Sequence, residues 1–348
     1  MVKIIDCDVH PYVPSVKDLY NYMDPAVVKK FEIAGLEISM GTDTVVTRNP
    51  SGGTIRKDAK SREGKPAGSY PEDVTEDYLN KYPIEATILN DLSACWMVSQ
   101  SGTYLSLKLA SAYNDYFIAK WLDYDERFKY AMIVSPWDPY SSVDEIKRVG
   151  KEKGIVAVQI PVTRILVGSR LLWPIYQAAY EMNLPIYFHI ATNDEYHILG
   201  LKSESYFEHH VNFPAVQEVN VASLVLSGVL EKFPNIKFVF AEYGFGTMVP
   251  FLWRFDKDWR GCRIETPWVK MPPSEYVKRN IRFTTQPLPE PKNIKLLAEL
   301  MMEIEDSLLF SSDYPHWDND MPDMSLQFLP EKTRIKIFYE NAKSTFRL

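Results

Sequence analysis

VKIIDCDVH (residues 2–10) is a short apolar run that ends on Asp8 and His10. Side chains two apart in a strand share a face, so these two point the same way. Working outward, the same form recurs along the chain: EATILND (85–91), KYAMIVS (129–135), IVAVQIP (155–161), PIYFHI (185–190), IKFVFAE (236–242), IRFTTQP (281–287) and LLFSSD (308–313). Such continuous apolar runs fit strands buried on both faces, as parallel sheets require. Helix-like stretches separate most of them. TYLSLKLASAYNDYFIAKWLD (103–123) has helical spacing, and further helices are predicted around 247–259, 292–304 and 330–343. Strand and helix alternate to a count near eight, which predicts an α/β fold of the (β/α)8 TIM-like barrel type.

Several of the runs end on a chemically capable side chain. Asp8, His10, His189 and Asp313 each sit at the C-terminal end of a predicted strand. Imidazole and carboxylate both suit a first-row divalent ion. In a barrel these strand ends converge on one face, where the chemistry is done. The bland readings are a satisfied polar pair at residues 8 and 10, a hydrogen-bonded core histidine at 189, and a turn cap at 313. Four residues at matching strand ends favour an enzyme with a metal site over four unrelated structural roles. Glu242 also ends an apolar run, where a charge is costly unless paired or functional. Arg254 is the candidate structural partner.

Two regions interrupt the alternation. Residues 11–84 are too long for an ordinary connection and contain EISMGTDTVVTRNPSGGTIRK, whose pattern predicts a hairpin. Following the first strand, this insertion is expected to lie over the active face as a lid. Arg48, Arg56 and Arg62 within it are suited to bidentate carboxylate binding, although such arginines are more often simply solvated. The second region, roughly 191–213, carries Asp194, His197, Glu208, His209 and His210. Adjacent side chains seldom point the same way, so at most one of His209 and His210 is expected at the site. His316, three residues beyond Asp313, is a candidate for orienting a ligand or substrate.

Composition narrows the class. The chain has 348 residues, 46% hydrophobic and 24% charged, so a packed core is expected, arranged as one domain over 1–348. A net charge of −7 argues against nucleic acid or an anionic membrane as partner. The expected partner is a small-molecule substrate, and exposed barrel helices and aromatic residues are compatible with a homodimer. Three scattered cysteines form no CxxC pattern. The opening MVKIIDCDVHP leaves no room for a signal-peptide apolar region, and no run approaches the ~20 residues of a membrane span. A cytoplasmic protein is expected.

IIDCDVHP, YFHI (187–190), FVFAEYGFGTMVPFLWRFD (238–256), FSSDYPHWD (310–318) and YENAKSTFRL at the C-terminus together resemble the amidohydrolase superfamily. More narrowly, the pattern is similar to the amidohydrolase-related (amidohydrolase 2) branch that includes aminocarboxymuconate-semialdehyde and γ-resorcylate decarboxylases. The resemblance implies one divalent ion, Zn2+ by default with Mn2+ or Fe2+ as alternatives, held by Asp8, His10, His189 and Asp313. It implies Asp313 as the acceptor of a proton from attacking water. The branch's decarboxylases carry histidine where this chain has Glu242, which can act as general acid or base but supplies no imidazolium. The expected activity is therefore hydrolysis of a small amide, ester, lactone or C–C bond by metal-activated water. The alternative is non-oxidative decarboxylation of an aromatic or unsaturated acid, and a third reading is a metal-stabilised binding protein without catalysis.

Overall fold

The computed structural model describes residues 2–37, 55, 58–190, 203 and 205–348. All eight predicted strands form: β1 Ile4–Val9, β2 Ile84–Leu89, β3 Phe128–Ile133, β4 Ile155–Gln159, β5 Ile186–His189, β6 Phe238–Ala241, β7 Ile281–Thr284 and β8 Leu308–Leu309. They pair in parallel, in sequence order, each with the next. Nearly every strand residue is buried, which explains the continuous apolar runs. The ring closes between β1 and the segment around and beyond β8. There the Cys7 amide donates to the Phe310 carbonyl at 2.9 Å, Asp313 N–H to Asp8 O at 3.1 Å, and His10 N–H to Tyr314 O at 2.8 Å. The result is a (β/α)8 barrel.

Helices form where the spacing places them. The 103–123 stretch is an α-helix over Thr103–Phe117 that runs on as a wider π turn over Ile118–Leu122, burying Leu109, Tyr113, Phe117 and Trp121. Helices at Met248–Cys262 and Ile294–Glu303, and the continuous run Glu331–Ile335, Lys336–Glu340 and Asn341–Phe346, match the other predictions. The last one seals one end of the barrel: Ala342 and Phe346 pack with Ile5, Ile88, Tyr187 and Val239 in the interior cluster. Among the described residues, no helix is long and apolar enough to cross a membrane.

One irregularity in β1 sets up the opposite end. Asp6 pairs with Thr87 and Val9 with Leu89, so three steps along β1 match two along β2. This is the arrangement of a β-bulge, which re-aims the side chains that follow it. Ile5 and Cys7 belong to the interior cluster, and strict alternation would turn Asp8 and His10 away from it. With the extra residue, both face the barrel mouth.

The predicted hairpin lies mostly outside the described residues, as do Arg48, Arg56, Asp194 and His197. What is described of the insertion touches the barrel at two levels. Ile55 forms an antiparallel bridge with His316, and the Tyr12 amide donates to Gly68 O at 2.9 Å. Gly68 needs to be glycine: its φ is +85°, and a Cβ there would stand 2.6 Å from the His10 carbonyl. Tyr78, from the end of the insertion, donates to the buried Asp6 carboxylate, which also accepts from Ser312 Oγ, from Ser312 N–H at 2.9 Å and from Asp8 N–H at 3.2 Å. Asp6 thereby ties insertion, β1 and the loop after β8 together. Removing the Tyr78 hydroxyl leaves that buried acid short of a donor, so Tyr78→Phe is expected to lower stability by about 1–3 kcal/mol in urea denaturation. An unchanged midpoint would show that Asp6 does not depend on it.

Candidate metal centre

Six side chains meet at the C-terminal face of the barrel, all buried: Asp8 from β1 and His10 just past it, His189 from the end of β5, Glu242 just past β6, and Asp313 and His316 beyond β8. Backbone shape aims two of them. Glu242 and Asp313 both adopt left-handed φ, 62° and 61°. Non-glycine residues hold that conformation at a cost and are found where a site demands it. In Glu242 the turn is secured by its amide donating to Thr284 Oγ1 at 3.0 Å.

Hydrogen bonds fix the two strand histidines as nitrogen donors. Asn90 O lies 2.7 Å from His10 Nδ1, and Ile190 O lies 2.7 Å from His189 Nδ1. A carbonyl only accepts, so each Nδ1 carries its proton and Nε2 is the nitrogen turned to the mouth, where it gives up its proton to bind a cation. Asp8 is held on its other side. Its Oδ1 accepts from Asn90 Nδ2 at 3.2 Å and from the Tyr187 hydroxyl at 2.8 Å, leaving Oδ2 directed inward. His316 stacks on His10 with ring centres 4.1 Å apart, and its Nε2 lies 3.1 Å from Tyr12 Oη.

The atoms that face one another are close yet unpaired. His10 Nε2 is 2.7 Å from Asp313 Oδ1, His316 Nδ1 is 2.8 Å from the same oxygen, and His189 Nε2 is 3.3 Å from Asp8 Oδ2 and 3.1 Å from Glu242 Oε2. Asp8 Oδ2, His10 Nε2, His189 Nε2, both Asp313 carboxylate oxygens and His316 Nδ1 nonetheless have no hydrogen-bond partner. Buried polar atoms without partners are costly. Ligands on one first-row ion, bonded at ~2.0–2.2 Å, sit roughly 3.0–3.5 Å from their neighbours, close to the separations found here. The donor set fits a divalent cation.

Charge supports the same fit. No Lys or Arg of the described residues pairs with Asp8, Glu242 or Asp313; their close partners are histidines. Burial, then the Asp318 and Asp8 charges, push Asp313 up to about 7 against the pull of His10. Burial and Asp313 likewise raise Glu242. For His189 burial opposes protonation, but the Asp8 and Glu242 carboxylates outweigh it and hold its pKa well above the ordinary value. Without a cation the cluster must share protons to limit its negative charge; a divalent ion would replace them.

The remaining candidates lie elsewhere. Arg254 is exposed and faces Asp258 at 3.4 Å, so it does not partner Glu242. Arg62 pairs with Asp73 and approaches Glu76 at 3.7 Å, outside the donor cluster. His210, on the helix Tyr206–Val211, reaches Asp318 Oδ2 at 3.2 Å and packs among Tyr206, Phe213 and Trp317, beside the mouth but not among the donors. His209 is buried with its ring 5.0 Å from Phe213. Sequence reasoning passed over Asn90, Tyr187 and Tyr12. Asn90 sits at the end of β2 in the same way as the ligand candidates end theirs, so the strand-end rule extends to it; the two tyrosines have no such signature. Asn90 holds Asp8 with its side chain and His10 with its carbonyl, and groups that orient ligands typically contribute about 10–100-fold in metal affinity. Asn90→Ala is expected to weaken Mn2+ binding by that range in competition with a fluorescent chelator. Native-like affinity would assign Asn90 a packing role alone.

Comparison with known proteins agrees with this architecture. The amidohydrolase family model, amidohydrolase 2, matches residues 5–348. An amidohydrolase from Mycobacterium avium subsp. paratuberculosis is 19% identical, with 99% of each chain covered and a TM-score of 0.71. The 5-carboxyvanillate decarboxylase of Sphingomonas paucimobilis is 18% identical over 100% of both chains, at TM-score 0.69. A mutant of the 5-carboxyvanillate decarboxylase from Novosphingobium aromaticivorans, solved with manganese and 3-methoxy-4-hydroxy-5-nitrobenzoic acid, is 19% identical over 100% of this chain and 97% of that one, at TM-score 0.68. At these identities the likeness to solved structures is one of fold. The match to the family model along nearly the whole chain shows that this protein belongs to the amidohydrolase family.

Proposed function

We propose that the protein is a metal-dependent hydrolase of a small carbonyl compound, with Asp8, His10, His189 and Asp313 holding the ion. The observation that carries this reading is the convergence of buried donors whose facing atoms have no hydrogen-bond partner: Asp8, His10 and His189 form one compact group, and Asp313 Oδ1 lies 2.7 Å from His10 Nε2. Two imidazoles and two carboxylates suit Zn2+, and a carboxylate-rich set suits Mn2+ or Fe2+ as well. The Novosphingobium structure, which holds manganese, favours testing that ion first. What a divalent cation contributes here is Lewis acidity toward a carbonyl oxygen and acidification of a nearby water.

The chain's own groups supply the rest. Asp313 has both oxygens free of hydrogen bonds, so one is available to take a proton from water and return it to the leaving group. Glu242, just past β6 and 3.1 Å from His189 Nε2, carries a proton on the other side of a substrate. Asn90 and Tyr187 hold Asp8 in place, and Asn90 fixes the tautomer of His10. Burial of all these groups excludes bulk water and strengthens each electrostatic contact. Ile55 of the insertion bridges His316, which supports a role for the insertion as a lid.

A second reading is decarboxylation, with the substrate's carboxylate anchored at the same donors and Glu242 protonating the carbon that loses CO2. Two observations favour it: burial raises the Glu242 pKa, and decarboxylases are among the solved structures of the same fold.

Metal-reconstituted protein assayed with lactones, esters and hydroxybenzoates separates the two. Release of acid without CO2 is expected from the hydrolase, and CO2 evolution from hydroxybenzoates would replace that reading with the second. Asp313→Asn keeps the shape and removes the proton acceptor, so turnover should fall by about 10²–10⁴-fold or more. A variant retaining full activity would remove Asp313 from the mechanism.

A further inference from the structure

At the end of the barrel opposite the metal centre, sealed by the terminal helix, positive charge gathers. Arg282 of β7 pairs in register with Val239 of β6, which belongs to the interior cluster, so the Arg282 side chain turns into the barrel near its sealed end. It is 9% exposed. Lys237 precedes Val239 by two residues, the spacing of one strand face, and its Nζ donates to the Arg279 carbonyl. Arg279 lies in the last turn of the helix Pro273–Asn280, and Arg347 caps the terminal helix. Burial, then the charges of Arg282, Arg279 and Arg347, lower the Lys237 ammonium to about 8.

Among the described residues, none of these four cations has a carboxylate within ion-pair distance. Their hydrogen bonds run to neutral acceptors: Arg282 Nη1 to the Lys278 and Ile281 carbonyls at 3.0 and 2.8 Å, and Arg279 to Asn280 Oδ1 and Leu230 O at 2.7 Å each. Arg282 Nε is buried with no partner at all. Asp306 is the acid whose charge reaches Arg282, and it is engaged by Lys336 at 2.6 Å and Lys278 at 3.6 Å. A carbonyl satisfies an N–H but leaves the charge unmatched, and buried charge is costly unless paired. The negative end of the terminal helix, worth roughly half a charge, offsets only a fraction of four.

Beside these groups there is room for a counter-ion. A cavity of about 50 Å³ is lined by Lys237, Arg347, Ser344 and Thr345. Thr345 is 2% exposed, and its Oγ1 has no hydrogen-bond partner. One water needs ~10–15 Å³, so the cavity takes a group of a few heavy atoms and is too small for a ring. Several positive charges around one small group call for more than a single negative charge. A phosphate group carries that at neutral pH and a carboxylate does not.

We propose that the sealed end of the barrel binds a phosphate group, held by Lys237, Arg347 and the Thr345 hydroxyl, with the charges of Arg279 and Arg282 adding to its hold. The group arrives as inorganic phosphate or as the end of a monoester whose remainder lies outside the cavity. Bound there, it joins the terminal helix to the start of β6 and stabilises the seal.

Isothermal titration calorimetry of the whole chain with inorganic phosphate, at an ionic strength fixed by sodium chloride, tests this. Native protein is expected to show a saturable class of one equivalent, and Lys237→Gln and Arg347→Gln each to weaken it by about 10-fold or more. Arg347 is exposed, so its variant carries the test should Lys237→Gln fail a circular-dichroism check of folding. Phosphate bound at the metal centre instead would be indifferent to both substitutions. The same titration with phenyl phosphate separates the two sources: tighter binding than inorganic phosphate assigns an ester, and weaker binding the free ion. No saturable class in native protein, or an unchanged one in a folded variant, overturns the site, and neither result bears on the donors at the other end of the barrel.

Discussion

Negative charge inside the barrel mouth, met among the described residues only by histidine, is the constraint on which the rest of the site depends. Asp8, Glu242 and Asp313 are all buried, and no described cationic side chain other than histidine approaches them. Burying one carboxylate without a partner is expensive, and burying three together is more so. A globular core has no reason to carry that load for stability. The arrangement becomes reasonable when a cation completes it, because the same low-dielectric setting that penalises the bare carboxylates strengthens their hold on a positive ion. The raised pKa values of Asp313, Glu242 and His189 describe the same strain as protons being retained.

The scaffold prepares for that charge through contacts that themselves bind nothing. The bulge in β1 turns Asp8 and His10 toward the mouth. Asn90 then secures both with one residue, and the Gln159 side chain in turn donates to Asn90 Oδ1. Tyr187 rises through the barrel interior to Asp8 from β5. Asp6 pins β1 to Ser312 and to Tyr78 of the insertion. Each contact removes a degree of freedom from a donor, and the donors end up at separations suited to coordination.

Much of this was legible in the chain because its causes are local. A strand buried on both faces must be a continuous apolar run, so β1 to β8 stand out in the sequence, and a polar residue at the end of such a run marks the functional face. That reasoning reaches Asp8, His10, His189, Glu242 and Asp313, and it extends to Asn90. It does not reach Tyr187 or Tyr12, since an inward-facing tyrosine in an apolar run looks like core. Nor does it separate His210, which faces Asp318, from His316, which stacks on His10: both are histidines in the segments that follow a ligand strand.

Hydrophobic periodicity and strand-end chemistry, properties of a few consecutive residues, thus determined the barrel, its family resemblance and the cast of candidate ligands. Distances between those ligands were decided only by the tertiary structure. Asp8 and Asp313 lie at opposite ends of the chain and meet because β1 closes against the segment beyond β8, where the Asp313 amide donates to the Asp8 carbonyl. The β1 bulge depends likewise on register against β2, which no stretch of β1 encodes alone. Coordination is a matter of tenths of an ångström among side chains hundreds of residues apart, and only the closed barrel sets such distances.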